Sequence, residues 1–292
     1  MTRKITVITI AIICWFTTIA SAQNNKVLII GIDGCRPDAL LYANTPNIDQ
    51  LWKDGAYSFR AQTDPISSSG ICWTGMLTGV WHQKHNVTTN AYKNPNNKKY
   101  PHFFQRVKEH NSNYRTISVV NWAPIHKILK PGESDITITC KSDKAVTKKV
   151  SKLISEKEVD AFFVQLDDVD HAGHAHDFSI NSPKYLASIE TADKQVGQIL
   201  KALKKRATYQ QENWYIIVSP DHGGSNKGHG KNILSHTTIF YIINGKDVAK
   251  GEIQSAVNVV DIPVTAMKVL GITPKKEWNL DGQVKGLINE SK

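Results

Sequence analysis

Residues 167–177 read DDVDHAGHAHD, which brings four carboxylates and three imidazoles into eleven residues. Asp170 and His174 stand four apart, a spacing that turns both toward one side of a helical turn or tight loop. Carboxylate oxygen beside imidazole nitrogen suits zinc, with manganese and iron as the next choices. A second group follows in Pro220-Asp221-His222-Gly223-Gly224, where the glycines let backbone approach closely. His229 sits in an equally flexible frame, Gly228-His229-Gly230, and Asp33 follows the apolar run KVLIIGI. Two ligand groups imply two divalent cations, roughly 4 Å apart in the usual two-metal hydrolytic site. Such a pair serves an in-line displacement at phosphorus by stabilising the attacking and leaving oxygens. His171 and His176 read as surface, and Asp167 or Asp168 as a helix cap or a partner behind an imidazole.

That chemistry also asks for a nucleophile. Ile66-Ser67-Ser68-Ser69-Gly70 opens a segment that looks helical up to Gly79, and a serine at that start has anion-friendly backbone beside it. A serine hydroxyl is a weak nucleophile until a base or a metal activates it. A plain N-cap is the competing role, and local physics leaves Ser67, Ser68 and Ser69 equivalent.

These residues need strands to deliver them. Lys26–Ile32, Arg115–Asn121, Asp160–Leu166, Trp214–Ser219 and Thr238–Asn244 are short, apolar on both faces and rich in β-branched or aromatic side chains. That is how buried parallel strands read. Helical patterns lie at Pro46–Lys53, Pro101–His110, Lys144–Ile154, Pro183–Arg206 and Val260–Leu270. Strands alternating with helices predict an α/β three-layer sandwich with a mainly parallel central sheet. Ligands of such sheets bind beyond the carboxyl ends of the strands. Asp33, the 167–177 cluster and Asp221-His222 each follow directly after a strand.

The chain has 292 residues, 40% hydrophobic and 21% charged, which supports one substantial core. MTRK, the apolar ITVITIAIICWFTTI and Ala20-Ser21-Ala22 have the layout of a signal peptide over residues 1–22. Residues 23–292 then form one domain with no membrane span, exported to the periplasm or secreted. Cleavage removes Arg3 and Lys4, so the net charge falls from +10 to +8. A basic surface attracts small anionic substrates, and no alternation of basic and aromatic residues marks a nucleic-acid groove. The remaining Cys35, Cys72 and Cys140 are too scattered for a zinc ribbon; they read as ordinary small residues, with at most one oxidised pair.

In order along the chain, GIDGCRPDAL, TPNIDQLWKDG, SGICWTGMLTGVWHQKHNV, DVDHAGH, SPDHGG, GHG, DIPVTAMKVLGI and LDGQ together resemble the alkaline phosphatase superfamily, in its nucleotide pyrophosphatase/phosphodiesterase branch. The resemblance covers nearly all of the chain after residue 22. It implies that Asp33, Asp221, His222 and the nucleophile hold one metal, and Asp170, His174 and His229 the other. The family's nucleophile lies nine residues before the Thr of its Thr-Gly pair, which from Thr78 selects Ser69. The family's phosphate-contacting asparagine matches Asn90, although His85 is followed here by Asn86 rather than glycine. His236 in SHTTIF rivals His229; flanking glycines favour His229, and His236 begins an apolar strand. A formylglycine sulfatase needs Pro two residues and Arg four residues after the modified residue; from Ser69 those positions are Ile71 and Trp73.

The resulting expectation is an exported, metal-dependent phosphoric-ester hydrolase with a serine nucleophile and two metals, zinc first and manganese second. The resemblance implies diesters first; beside it, the sequence offers no third, magnesium-type ligand set and no arginine clamp for a dianionic monoester. The alternatives are a phosphomonoesterase of the same superfamily, or a catalytically silent envelope protein that binds metal or phosphate.

Overall fold

A computed structural model describes residues 24–288. The segment read as a signal peptide lies outside the described residues. No helix among those described is long and apolar enough to cross a membrane.

In chain order the elements are β1 (Asn24–Ile32), α1 (Pro37–Tyr42), α2 (Pro46–Lys53), β2 (Ala56–Gln62), α3 (Ser69–Thr78), α4 (His82–His85) and α5 (Phe103–His110). There follow β3 (Thr116–Val120), β4 (Ile136–Thr139), α6 (Asp143–Glu156), β5 (Ala161–Leu166), α7 (Asp168–His176) and α8 (Pro183–Leu203). The chain continues with β6 (Glu212–Ser219), α9 (Leu234–Thr237), β7 (Thr238–Asn244), β8 (Gly251–Glu252) and α10 (Asp261–Val269). One eight-stranded sheet carries the order β4-β3-β5-β1-β6-β7-β2-β8.

β1 lies at the centre, parallel to β5 and β6, with Ile29 level with Phe163 and Ile217. Its side chains alternate between two cores, as the period of a strand requires. Val27 and Ile29 face Trp73, Phe104 and Ile262 on one side; Leu28, Ile30 and Ile32 face Val150, Tyr185 and Val196 on the other. Helices therefore cover both faces, and the three-layer α/β sandwich is present. One strand departs from expectation. Thr238–Asn244, read among the parallel strands, runs antiparallel to both β6 and β2. A buried apolar run looks the same in either direction. Three strands escaped the sequence reading: β2, whose AYSFRAQ is only half buried, and the very short β4 and β8. The cysteines at 35, 72 and 140 are free thiols.

Candidate metal centre and nucleophile

The carboxyl ends of β1, β5 and β6 meet at one edge of the sheet. Asp33 continues β1 by donating its N–H to Leu166 O at 2.9 Å. Asp221 and His222 stand at the second and third positions after β6. Beyond β5 the chain enters α7 at once, so Asp170 and His174 lie one turn apart on a helix. The start of α7 is fixed from a distance: Asp143, at the head of α6, accepts both Asp167 N–H and Asp168 N–H at 2.8 Å. Between these strand ends Gly34 has φ +64°, and a Cβ there would come within 2.8 Å of Asp170 Oδ1. A glycine is what lets β1 and α7 approach so closely.

Two compact groups result. Asp33, Asp221 and His222, all fully buried, have ligand atoms within 4.8 Å of one another; so do Asp170, His174 and His229. His222 Nε2 lies 3.5 Å from Asp33 Oδ1 and 3.4 Å from Asp221 Oδ2. In the second group His174 Nε2 is 3.4 Å from Asp170 Oδ2 and 3.1 Å from His229 Nε2. The groups adjoin, since the rings of His222 and His229 stack at 3.8 Å.

The donor set fits cations on three grounds. First, each imidazole sets its Nδ1 against a backbone carbonyl: His222 against Gly223 at 2.8 Å, His174 against Lys227 and His229 against Ser67, both at 2.9 Å. A carbonyl only accepts, so Nδ1 carries the proton and every neutral ring offers an Nε2 lone pair to the site. Two such lone pairs 3.1 Å apart, on His174 and His229, repel unless something positive lies between them. Second, Asp33 Oδ1, Asp170 Oδ1 and Asp221 Oδ2 are buried without a hydrogen-bond partner. In two of them the sister oxygen is engaged: Asp33 Oδ2 accepts from Trp73 Nε1 at 2.9 Å and Gln165 Nε2 at 3.2 Å, and Asp221 Oδ1 from Gly34 N–H at 3.3 Å. Third, burial and then repulsion from neighbouring carboxylates, Asp221 on Asp33 and Asp170 on Asp221, hold Asp33 and Asp221 well above the usual carboxylate range. Asp170 is pushed up to about 6 by burial. Burial presses His229 down to about 4 and His222 well below its ordinary value. Unpaired buried carboxylates are costly, and a divalent cation relieves the cost.

Three adjacent serines point three ways. Ser67 Oγ donates to Lys231 O at 2.9 Å, and Ser68 Oγ to Asn90 Oδ1 at 3.4 Å. Ser69 Oγ, at the first residue of α3, lies 3.1 Å from His222 Nε2. Asn90 stands beside it, its Oδ1 accepting Gly70 N–H at 2.8 Å, and its Nδ2 makes no hydrogen bond among the described residues. A Cβ at residue 70 would meet that Oδ1 at 2.8 Å, so Gly70 makes room for Asn90.

His236 stands apart from both groups. Its Nδ1 accepts Lys231 N–H at 3.1 Å and its Nε2 faces Ser225 Oγ at 2.8 Å, which uses both nitrogens. His171 and His176 are exposed. Arg36 is no substrate clamp: it pairs with Asp38 and donates to Phe178 O and Gly224 O, both at 2.9 Å. The sequence reading missed Trp73 and Gln165, which steady Asp33. Gln165 had a signal, as the lone polar residue of AFFVQL; Trp73 follows Ser69 by one helical turn. Asp143 had none, because it acts across 24 residues of chain.

The chain resembles known proteins over most of the described residues. A family model described as type I phosphodiesterase / nucleotide pyrophosphatase matches residues 27–275. Human ectonucleotide pyrophosphatase/phosphodiesterase family member 7 is 20% identical over 238 residues, 70% of this chain and 49% of that protein. The chain thus spans about half the length of that curated relative. Among solved structures, murine ectonucleotide pyrophosphatase / phosphodiesterase 5 superposes with TM-score 0.70 at 14% identity, over 85% of this chain and 95% of that one. An inactive variant of the same murine protein, in complex with AMP, gives TM-score 0.69 at 14% identity, over 91% and 98%. The phosphonate monoester hydrolase of Agrobacterium radiobacter gives 0.69 at 15% identity, over 91% and 78%.

Proposed function

The chain belongs to the type I phosphodiesterase / nucleotide pyrophosphatase family, whose members hydrolyse phosphoric ester bonds, and we propose that it is an exported, two-metal phosphodiesterase acting through Ser69. In this reading residues 1–22 direct export to the periplasm or beyond, and residues 23–292 are one catalytic domain. Asp33, Asp221, His222 and Ser69 hold one cation; Asp170, His174 and His229 hold the other; zinc is the first choice and manganese the second. The observation that carries the reading is the meeting of orphaned carboxylate oxygens and imidazole lone pairs, one of which, His222 Nε2, lies 3.1 Å from the Ser69 hydroxyl.

Bound cations would ease loss of the serine proton and offset charge on the attacking and leaving oxygens. The rest falls to side chains. Ser69 Oγ attacks phosphorus, the P–O bond to one alcohol breaks, and a phosphoseryl forms. Asn90 Nδ2 donates to a non-bridging oxygen as charge builds there, its Oδ1 already anchored by Gly70 N–H. Water then attacks the phosphoseryl from the opposite side and returns Ser69 to its hydroxyl. The AMP complex of the murine relative supports a small phosphate ester as substrate. Diesters are preferred because Arg36, the one arginine beside Asp33, is spent on Asp38 and two carbonyls.

Metal analysis of the purified protein, followed by paired rates on bis(4-nitrophenyl) phosphate and 4-nitrophenyl phosphate, tests this. The expected result is about two zinc or manganese ions per chain and faster cleavage of the diester. A metal-loaded protein that cleaves neither ester would instead support the catalytically silent binding reading.

A further inference from the structure

We propose that the outer face of the helical layer formed by α1, α2, α6 and α8 docks the protein on an anionic lipid surface. This docking is independent of catalysis, since none of the residues it uses belongs to the metal centre.

The four helices cover one face of the sheet. Leu40 of α1, Leu51 of α2, Val150 of α6 and Val196 of α8 share a single core, and α8 packs against the other three helices. Their apolar sides are turned inward, so their polar sides form the surface. Apart from Pro183 at its start, α8 exposes Lys184, Ala187, Thr191, Lys194, Gln198 and Lys201. These positions advance by three or four and make one stripe. Lys204 and Lys205 follow its end, also exposed. On α6 the exposed residues are Lys144, Lys148, Lys149, Lys152 and Glu156.

None of these lysines makes an ion pair among the described residues, whereas elsewhere Lys53 meets Asp49, Lys84 meets Asp281 and Lys108 meets Asp135. The other acids of the two helices are engaged. Asp143 accepts the first N–H groups of α7, Asp193 accepts Asn47 Nδ2 and Ile48 N–H, and Glu190 accepts Asn44 N–H. Like charges at neighbouring helical positions destabilise a helix. The face therefore costs stability until something anionic meets it. Every cation on it is a lysine, a point charge without the fork of arginine, which suits a diffuse field of phosphates better than one phosphate held in fixed geometry. Lys184 and Lys201 stand about 25 Å apart along α8, enough to span several head groups. Neither helix exposes an aromatic ring on which a base could stack.

Apolar tips beside the lysines favour a bilayer over a soluble polyanion. Six large apolar side chains stand exposed among the described residues, and four of them, Leu41, Tyr42, Ile233 and Leu234, gather next to α1. Leu41 and Leu234, exposed by 52% and 76%, line one cavity of about 350 Å³ together with Phe59. Tyr42 and Ile233 adjoin them in the chain. α1 in turn packs on α8. A soluble polyanion would use the lysines and leave these side chains in water. A lipid surface uses both, since apolar insertion and attraction of lysines to anionic head groups together anchor a peripheral protein.

The test is sedimentation of the full chain with vesicles of phosphatidylcholine, alone or mixed with phosphatidylglycerol. The readout is the ratio of the two partition coefficients, in which any contribution of residues 1–22 is common to parent and variants. Lys148→Gln/Lys152→Gln/Lys194→Gln/Lys201→Gln should lower the ratio on the order of 10²-fold. High salt should do the same to the parent. Lys98→Gln/Lys99→Gln/Lys275→Gln/Lys276→Gln removes equal charge outside this layer and should lower it far less. Leu41→Ser/Leu234→Ser should weaken binding to both kinds of vesicle about tenfold. A parent without preference for phosphatidylglycerol, or equal losses in the two lysine variants, overturns the proposal. So does unchanged lipid binding in Leu41→Ser/Leu234→Ser; if that variant also loses a dimer seen in the parent, the apolar tips belong to a second copy. A parent that ignores vesicles but binds dextran sulfate overturns it in favour of a soluble polyanion.

Discussion

Ser67, Ser68 and Ser69 are adjacent and chemically identical, so only their surroundings assign them work. A carbonyl takes the first hydroxyl, Asn90 takes the second, and the third faces His222. Ser69→Ala should therefore lower kcat on a diester on the order of 10³-fold or more with the metal content retained, whereas Ser68→Ala should cost far less. Full activity in Ser69→Ala would exclude a serine nucleophile. The two rival histidines separate in the same way. His229→Ala should reduce the metal content from about two to about one per chain, while His236→Asn should leave it unchanged. Residue types were legible in the sequence, because aspartate and histidine after three apolar runs have few other reasons to gather. Which oxygen is orphaned, and which nitrogen is spent on a carbonyl, belongs to the folded geometry. That is why counting from Thr78 reached Ser69 while local physics left three serines equal.

Helices and strands were legible where their pattern was long. α2 spans the residues its periodicity predicts, and α8 falls within three residues of its expected end. Direction was not legible, so β7 was grouped with the parallel strands, and short half-buried β2 left no clear period. Caps acting across the chain were hidden as well: Asp143 on α7, and less distantly His102 on α5. His102 Nδ1 accepts Phe104 N–H at 3.0 Å, while its Nε2 is buried without a partner. Burial presses this imidazole down to about 3. Below about pH 6.5 the unfolded chain protonates His102 and the folded chain does not, so stability present at neutral pH is lost on acidification. His102→Asn keeps a cap acceptor and removes that titration. Its stability deficit relative to the parent should shrink by about 1 kcal/mol between pH 7 and pH 5.5 in urea unfolding. A deficit independent of pH would mean that the ring is protonated in place.

The whole molecule is basic, at +10, yet it gathers Asp33, Asp170 and Asp221 into one buried neighbourhood. Such a fold is frustrated at its centre unless protons or cations balance the carboxylates. The balance can be read as a pH dependence. The depressed histidines are neutral in the folded chain with or without metal, so whatever slope the unfolded chain's histidines add is common to both forms and cancels from their difference. Asp33 and Asp221, raised well above the usual range by burial, hold protons in the metal-free fold to a higher pH than they do in the unfolded chain. Metal-free protein therefore loses stability as pH rises through those raised folded-state values. Cations displace those protons and bind more tightly as pH rises, so the stability they add grows in the same direction. Thermal unfolding of EDTA-treated and zinc-supplemented protein should show the gap in Tm widening as pH is raised from 6 to 8. Equal Tm values at pH 8 would mean that the buried carboxylates need no cation, and the two-metal reading of this neighbourhood would fall with them.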